Sequence, residues 1–168
     1  IETVPEIMRD AFEPADRANE VEEYIDTVVA TAAMPSADWV RARVFAWLAD
    51  LFYFDRLLQL PFALLVTRNG LRLRGLVEHL ARSERPVLAG LNVLLTEHAR
   101  AMTAGGNQFI PSAEWGNLLW PADQYALATL VAAGKVNALS TEVEAELEEM
   151  LADLVLRDAM PMVHDPLE

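Results

Sequence analysis

An α-helical fold is predicted for this 168-residue chain by three features of its sequence. Apolar side chains recur at helical spacing along most of its length, and proline and glycine residues divide that pattern into helix-sized segments. The apolar content of 53% is sufficient for one sizeable core. We therefore expect an all-α domain, an irregular bundle of about five or six helices. One short strand near the N-terminus is the single β element that the sequence suggests.

Residues 1–23 are expected to form an extended acidic linker, because Pro5 and Pro14 interrupt any helix. In the next segment, Val21, Tyr24, Ile25 and Val28 have helical spacing, whereas the β-branched run Thr27-Val28-Val29 suits a short strand, which we slightly favour. The chain begins at Ile1 and not at methionine, so we expect it to be cut from a longer protein.

A long helix is predicted from Trp39 to about Leu60, with Ser36 as its cap, and Pro61 is expected to kink or end it. Its apolar stripe is Val40, Val44, Trp47, Leu48, Leu51, Phe54 and Leu58.

Part of this helix belongs to an apolar stretch that could be mistaken for a membrane span, VFAWLADLFYFDRLLQLPFALLV. The ionisable side chains of Asp50, Asp55 and Arg56 near its middle argue against one. Two interpretations stay open: a helix buried on all sides, or one that turns a face toward another domain.

The remaining helices follow from their start and stop residues. We predict a short helix over 71–82, a longer one from Pro86 to Met102 that Gly105-Gly106-Asn107 ends, and an irregular aromatic connector from Gln108 to Trp120. Pro121 and Gly134 bound another helix, and Thr141 with Glu144 forms a capping box for the last one. The glutamates at 142, 146, 148 and 149 are expected to face water. The helical domain covers residues 24–160, and residues 161–168 form a tail.

Charge and composition exclude several classes of function. The net charge is −13, with −8 over residues 1–38, +4 over 39–100 and −9 over 101–168, so nucleic-acid binding is not expected. The chain has no cysteine, which excludes disulfides, thiolate metal sites and cysteine catalysis and fits a cytoplasmic protein. The three histidines lack metal-ligand spacing, and the serines lack a nucleophile elbow. We predict no metal site and no catalytic residue.

Four segments carry a family resemblance: MPSADWVRARVFAWLADLFYFDRLLQLPFALL, RAMTAGGNQFIPSAEW, LLWPADQYALATLV and GKVNAL. Thr31 to Trp47 matches a strand ending in T-x-x-M followed by an aromatic helix. Trp120–Asp123 and Gly134–Val136 match two later motifs in the same order. These segments resemble the region after the catalytic barrel in cobalamin-binding-domain-containing radical S-adenosylmethionine proteins. The resemblance covers roughly residues 24–140.

The resemblance implies a non-catalytic C-terminal helical accessory domain of a radical S-adenosylmethionine enzyme. Its partner would be the catalytic barrel of the same parent chain, and it would contribute to substrate recognition or domain interaction. The parent family implies an iron–sulfur cluster, S-adenosylmethionine and cobalamin, none of which this cysteine-free chain is expected to hold. The alternative is a free-standing helical module that binds a ligand or forms a homo-oligomer. A small hydrolase or isomerase using Asp50, Asp55 or Asp123 is a third hypothesis.

Aromatic rings together with an arginine and a carboxylate can hold a polar small molecule. The candidate ligand or interface residues are Trp39, Arg43, Trp47, Tyr53, Trp115, Trp120 and Asp123.

Overall fold

Six α-helices dominate the residues that the computed structural model describes, which are 1–16 and 22–159. The predicted helical class is therefore confirmed in its coarse form. The helices are α1 (Ser36–Ala49), α2 (Gln59–Asn69), α3 (Leu73–Leu80), α4 (Pro86–Thr103), α5 (Ala122–Ala132) and α6 (Val136–Ala159). The tail predicted at residues 161–168 lies outside the described residues.

Two small antiparallel sheets correct the strictly all-α prediction. The first pairs β1 (Glu2–Ile7) with β2 (Tyr24–Ala30), so the predicted N-terminal strand is present and part of the predicted linker is its partner. Pro5 fits in β1 because each strand of a two-stranded sheet is an edge strand, which tolerates a missing N–H donor. The boundaries proposed for the linker, the helical domain and the tail stay predictions.

The second sheet lies within the segment predicted to be an irregular connector. It pairs β3 (Ile110–Ser112) with β4 (Leu118–Trp120). Gly116 and Asn117 both have positive φ, which lets the chain reverse between these strands. The N-terminal segment runs beside β4: the Phe12 N–H donates to the Leu119 carbonyl at 2.6 Å, and the Leu119 N–H donates to the Glu13 carbonyl at 2.9 Å.

The long central helix ends earlier than predicted, because α1 passes into a π-helical turn at Asp50–Phe54. The Asp55 N–H donates to the Asp50 carbonyl at 2.7 Å, a bond that encloses one residue more than an α-helical bond. One extra residue rotates the following side chains by about 100°. Phe54, predicted in the buried stripe, is consequently 65% exposed, while Phe52 is fully buried.

Pro61 does not end that helix, because it lies in the first turn of α2. The first N–H groups of a helix have no acceptor within it, so proline loses no hydrogen bond there. The reversal between the two helices occurs at Arg56, whose φ is +67°.

The core forms around α1 and the π-helical turn, which α3, α4 and α5 contact. Leu48, Leu51 and Phe52 are almost completely buried, and the Phe52 and Phe62 rings meet edge to face at 6.3 Å. The opposite side of α1, at Ala42 and Ala46, is exposed to solvent. The helix is therefore buried on one side and not all round, and β2 packs against it.

Helix α6 begins before Thr141, so the predicted capping box is wrong. Thr141 lies inside the helix and donates to the Asn137 carbonyl at 3.1 Å. The prediction that Glu142 and Glu146 face water is also wrong. Glu142 accepts the N–H groups of Val87 and Leu88 at 2.9–3.0 Å, which supplies acceptors to the start of α4.

Glu146 is 8% exposed and joins α6 to the segment between α3 and α4. It accepts Ser83 Oγ at 2.5 Å and Arg85 Nε at 3.1 Å, and its second oxygen lies 3.0 Å from His79 Nε2. A buried carboxylate is tolerated here because its oxygens have several donors. The acidic pattern of α6 thus serves packing as well as solubility.

The role of Glu142 can be tested by substitution. Glu142→Ala leaves the first N–H groups of α4 without an acceptor and should lower the free energy of unfolding by about 1–2 kcal/mol. Urea denaturation followed by circular dichroism measures this. The matched control is Glu144→Ala, an exposed glutamate two residues away, which should change stability by less than about 0.5 kcal/mol. Equal effects of the two substitutions would refute the capping role.

Candidate functional site

A cavity of about 570 Å³ lies between the β1–β2 hairpin and helices α1 and α4. We call it the hairpin cavity. Its lining residues are Glu6, Ile7, Met8, Arg9, Ile25, Thr27, Trp39, Ala42, Arg43, Ala46, Met102 and Gln108. The volume is within the range of small-molecule sites, and the lining combines a few charged groups with apolar side chains.

The carboxylate of Glu6 lines the hairpin cavity on its strand side. Its Oε2 accepts a hydrogen bond from Thr27 Oγ1 on the neighbouring strand, at 2.5 Å. Its Oε1 is almost inaccessible to solvent and has no hydrogen-bond partner among the described residues.

The guanidinium of Arg43 lines the same cavity on its helix side. Its Nε is buried without a hydrogen-bond partner, and Arg43 has no ion pair with the described residues. The guanidinium carbon lies 4.9 Å from the centre of the Trp47 ring. This cation–π contact with the Trp47 ring holds the Arg43 side chain in place, and it leaves N–H donors of the guanidinium without an acceptor.

A short chain of contacts supports Arg43 from the core. The Trp47 ring lies 5.4 Å from the His98 ring, and His98 Nε2 donates to the Gln108 carbonyl at 3.0 Å. The pKa of His98 is lowered, mainly because the imidazole is buried; the hydrogen bond to Gln108 raises it, and the charge of Arg43 lowers it. A neutral His98 avoids a second positive charge beside Arg43.

The predicted ligand residues divide into separate groups. Trp39 and Arg43 line the hairpin cavity, and Trp47 is buried beneath Arg43. Tyr53 is on the π-helical turn, where its ring packs edge to face on Phe54 at 5.3 Å. Their roles in binding stay predictions.

Trp115 and Trp120 belong to an aromatic cluster around the second sheet. Their rings are 5.8 Å apart, Trp115 lies 5.1 Å from Tyr125, and Trp120 lies 5.2 Å from Phe12. Trp120 Nε1 also donates to the Trp115 carbonyl at 3.3 Å. The cluster attaches the N-terminal segment to the sheet and to α5, and a role of the two tryptophans in binding stays a prediction.

Asp123 is buried in the first turn of α5, close enough to Asp50 and Asp55 to feel their charge. The pKa of Asp123 is raised to about 6, mainly by burial and also by the charges of Asp55 and Asp50, while hydrogen bonds from its own and the Gln124 N–H groups act in the opposite direction. Burial and the charge of Asp55 also raise the pKa of Asp50, whereas the charge of Arg43 lowers it. Within residues 1–16 and 22–159, no group of three or more histidines and carboxylates is arranged to hold a metal ion.

A second cavity, of about 1,020 Å³, lies between α1, α3 and α4 and carries several arginines. Arg41 pairs with Asp38, Arg74 Nε lies 2.7 Å from Glu78, and Arg82 lies 3.9 Å from the same carboxylate. These arginines are largely exposed, so their pairs contribute little to stability. We regard them as ordinary surface ion pairs.

The sequence analysis missed Glu6, because residues 1–23 were expected to form a linker. The local sequence contains no clear signal, because Thr3-Val4 and Glu6-Ile7 are out of phase for a strand and Pro5 lies between them. The partner of that strand lies more than 15 residues away and carries Thr27, so only the fold brings the two side chains together.

Comparison of the chain with known protein families, curated proteins and solved structures finds no match. In the part of the chain that the structure describes, no helix combines the length and the apolarity needed to cross a membrane.

The pKa of Asp123 gives a pH-dependent prediction. Because this pKa is about 6 in the folded protein and 3.8 in the unfolded chain, the folded state holds the proton more tightly. Stability should therefore fall as the pH rises through this interval, and Asp123→Asn should remove that loss. The stability of the variant relative to the wild type should increase by roughly 1–3 kcal/mol between pH 4 and pH 7.

Urea denaturation at several pH values measures this difference. The matched control is Asp153→Asn, which replaces an exposed carboxylate on α6 and should give a nearly constant difference. A constant difference for Asp123→Asn as well would show that its carboxyl group is not perturbed by burial.

Proposed function

We propose that this chain is a non-catalytic helical accessory domain of a radical S-adenosylmethionine enzyme of the cobalamin-binding type. In this proposal it packs on the catalytic barrel of the same parent chain and contributes to substrate recognition. The iron–sulfur cluster needs cysteine ligands, which this chain lacks, so other parts of the parent would hold it.

The observation that carries the proposal is an apolar surface on the π-helical turn and α2. Phe54 is 65% exposed, Leu60 72% and Leu64 44%. Leu60 and Leu64 are four residues apart on one helix and therefore share a face. We call these three residues the α2 surface.

Covering the α2 surface would be favourable, since burying a leucine or phenylalanine side chain contributes about 1.5–3 kcal/mol. All three residues fall in the segment MPSADWVRARVFAWLADLFYFDRLLQLPFALL, the longest of those that resemble the radical S-adenosylmethionine family. The segment that carries the resemblance thus also carries the exposed apolar residues. This coincidence favours the catalytic barrel as the partner.

A free-standing module that binds a ligand or associates with itself is the second candidate. The hairpin cavity favours ligand binding, and the α2 surface could equally be covered by a second copy of the chain. Light scattering distinguishes these cases, because a tight homodimer of the isolated chain that buries the α2 surface would support the second candidate.

The accessory role is tested by hydroxyl-radical footprinting of the isolated chain and of the full reading frame that contains it. We expect labelling of Phe54, Leu60 and Leu64 to be several-fold lower in the full-length protein, because the barrel covers them. Val93 on α4, which is 55% exposed, is the matched control and should be labelled equally in both.

Two results would contradict the proposal. The first is equal labelling of the α2 surface in both proteins. The second is a full-length protein, purified without oxygen, that shows no iron–sulfur cluster by electron paramagnetic resonance after reduction.

A further inference from the structure

We infer that the hairpin cavity binds a small zwitterionic ligand of the amino-acid type, with its carboxylate at Arg43 and its ammonium group at Glu6. The inference goes beyond the proposed function. It concerns this chain alone and does not depend on whether the chain packs on a barrel.

The hairpin cavity is lined by two opposite charges that do not pair with each other. Glu6 is on β1 and Arg43 is on α1, so the two side chains come from opposite walls. Among the residues that the structure describes, neither side chain forms an ion pair with the other or with a third residue. A ligand with one negative and one positive group would complete both.

The side chains of Glu6 and Arg43 are both held in place before any ligand binds. Thr27 Oγ1 fixes one oxygen of Glu6, and the Trp47 ring lies under the guanidinium of Arg43. A planar guanidinium binds a carboxylate through two parallel hydrogen bonds, and a carboxylate accepts N–H donors from an ammonium group. Preorganised partners lose little conformational entropy when the ligand binds.

A ligand with a single charge does not suit the hairpin cavity. An inorganic anion at Arg43 would be repelled by Glu6 and would leave that carboxylate unpaired. A simple cation at Glu6 would be repelled by Arg43 in the same way. Arg9 also lines the cavity but is already paired with Glu13, at 3.2 Å.

The rest of the cavity lining suits an apolar side chain on the ligand. The lining also contains the apolar side chains of Met8, Ile25, Trp39 and Met102. Methionine and aromatic side chains adapt to large apolar groups. The volume of about 570 Å³ exceeds what the charged ends of an amino acid fill, so a large apolar or aromatic side chain suits the site best.

Isothermal titration calorimetry of the intact 168-residue chain tests the inference with three L-amino acids: tryptophan, phenylalanine and methionine. At least one should bind, and for tryptophan two analogues isolate the charges. Tryptamine lacks the carboxylate, and indole-3-propionate lacks the ammonium group. Each should bind at least about tenfold more weakly, because one charged side chain of the site then stays unpaired.

Substitutions assign the two ends of the ligand. Arg43→Gln should remove the advantage of tryptophan over tryptamine, and Glu6→Gln should remove its advantage over indole-3-propionate. Arg41→Gln, which changes an arginine outside the hairpin cavity, should leave all affinities unchanged. If Arg43→Gln does not fold, Arg43→Lys keeps the charge without the paired hydrogen bonds and should give an intermediate affinity.

The inference is overturned if none of the three amino acids binds at millimolar concentration. It is also overturned if tryptamine or indole-3-propionate binds as tightly as tryptophan, or if folded Glu6 and Arg43 variants keep the wild-type affinity. None of these results bears on the α2 surface, which the footprinting experiment tests separately.

Discussion

The burial of one side of α1 and of the π-helical turn is the constraint on which the rest of the structure depends. Leu48, Leu51 and Phe52 are almost inaccessible to solvent, and α3, α4 and α5 all contact this central element. Removing any of these large side chains from water contributes a few kcal/mol, which is a large share of the stability of a small domain. The other helices take their positions from this contact.

The π-helical turn determines which side chains near it are buried in the core and which are exposed on the surface. By rotating the chain after Asp50, it brings Phe52 into the core and leaves Phe54 exposed to solvent. Arg43 and Trp39 line the hairpin cavity, and Trp39 also packs against the core. The hairpin cavity and the α2 surface thus both follow from the orientation of one helix. π-Helical turns are often found at functional sites, and this one contributes Phe54 to the α2 surface.

The elements that depend on local signals could be predicted from the sequence, and those that depend on distant partners could not. Pro86 and the glycines at 105 and 106 correctly bound α4, since a proline at a helix start and a glycine after its end act within a few residues. The strand β1 was missed because its partner lies beyond the local sequence, and the burial of Glu146 was missed because its donors come from residues 79–85. Arg43 was recognised as a candidate, but Glu6, its counterpart in the cavity, required the fold.

Native-state hydrogen exchange tests the central claim most directly. If α1 and the π-helical turn are the centre of the core, the amides of Leu48, Leu51 and Phe52 should exchange only by global unfolding, with the same free energy that denaturation gives. The amides that pair β1 with β2 should exchange through smaller local openings. Exchange of the α1 amides at free energies below those of the hairpin would contradict this description and would locate the stable core elsewhere.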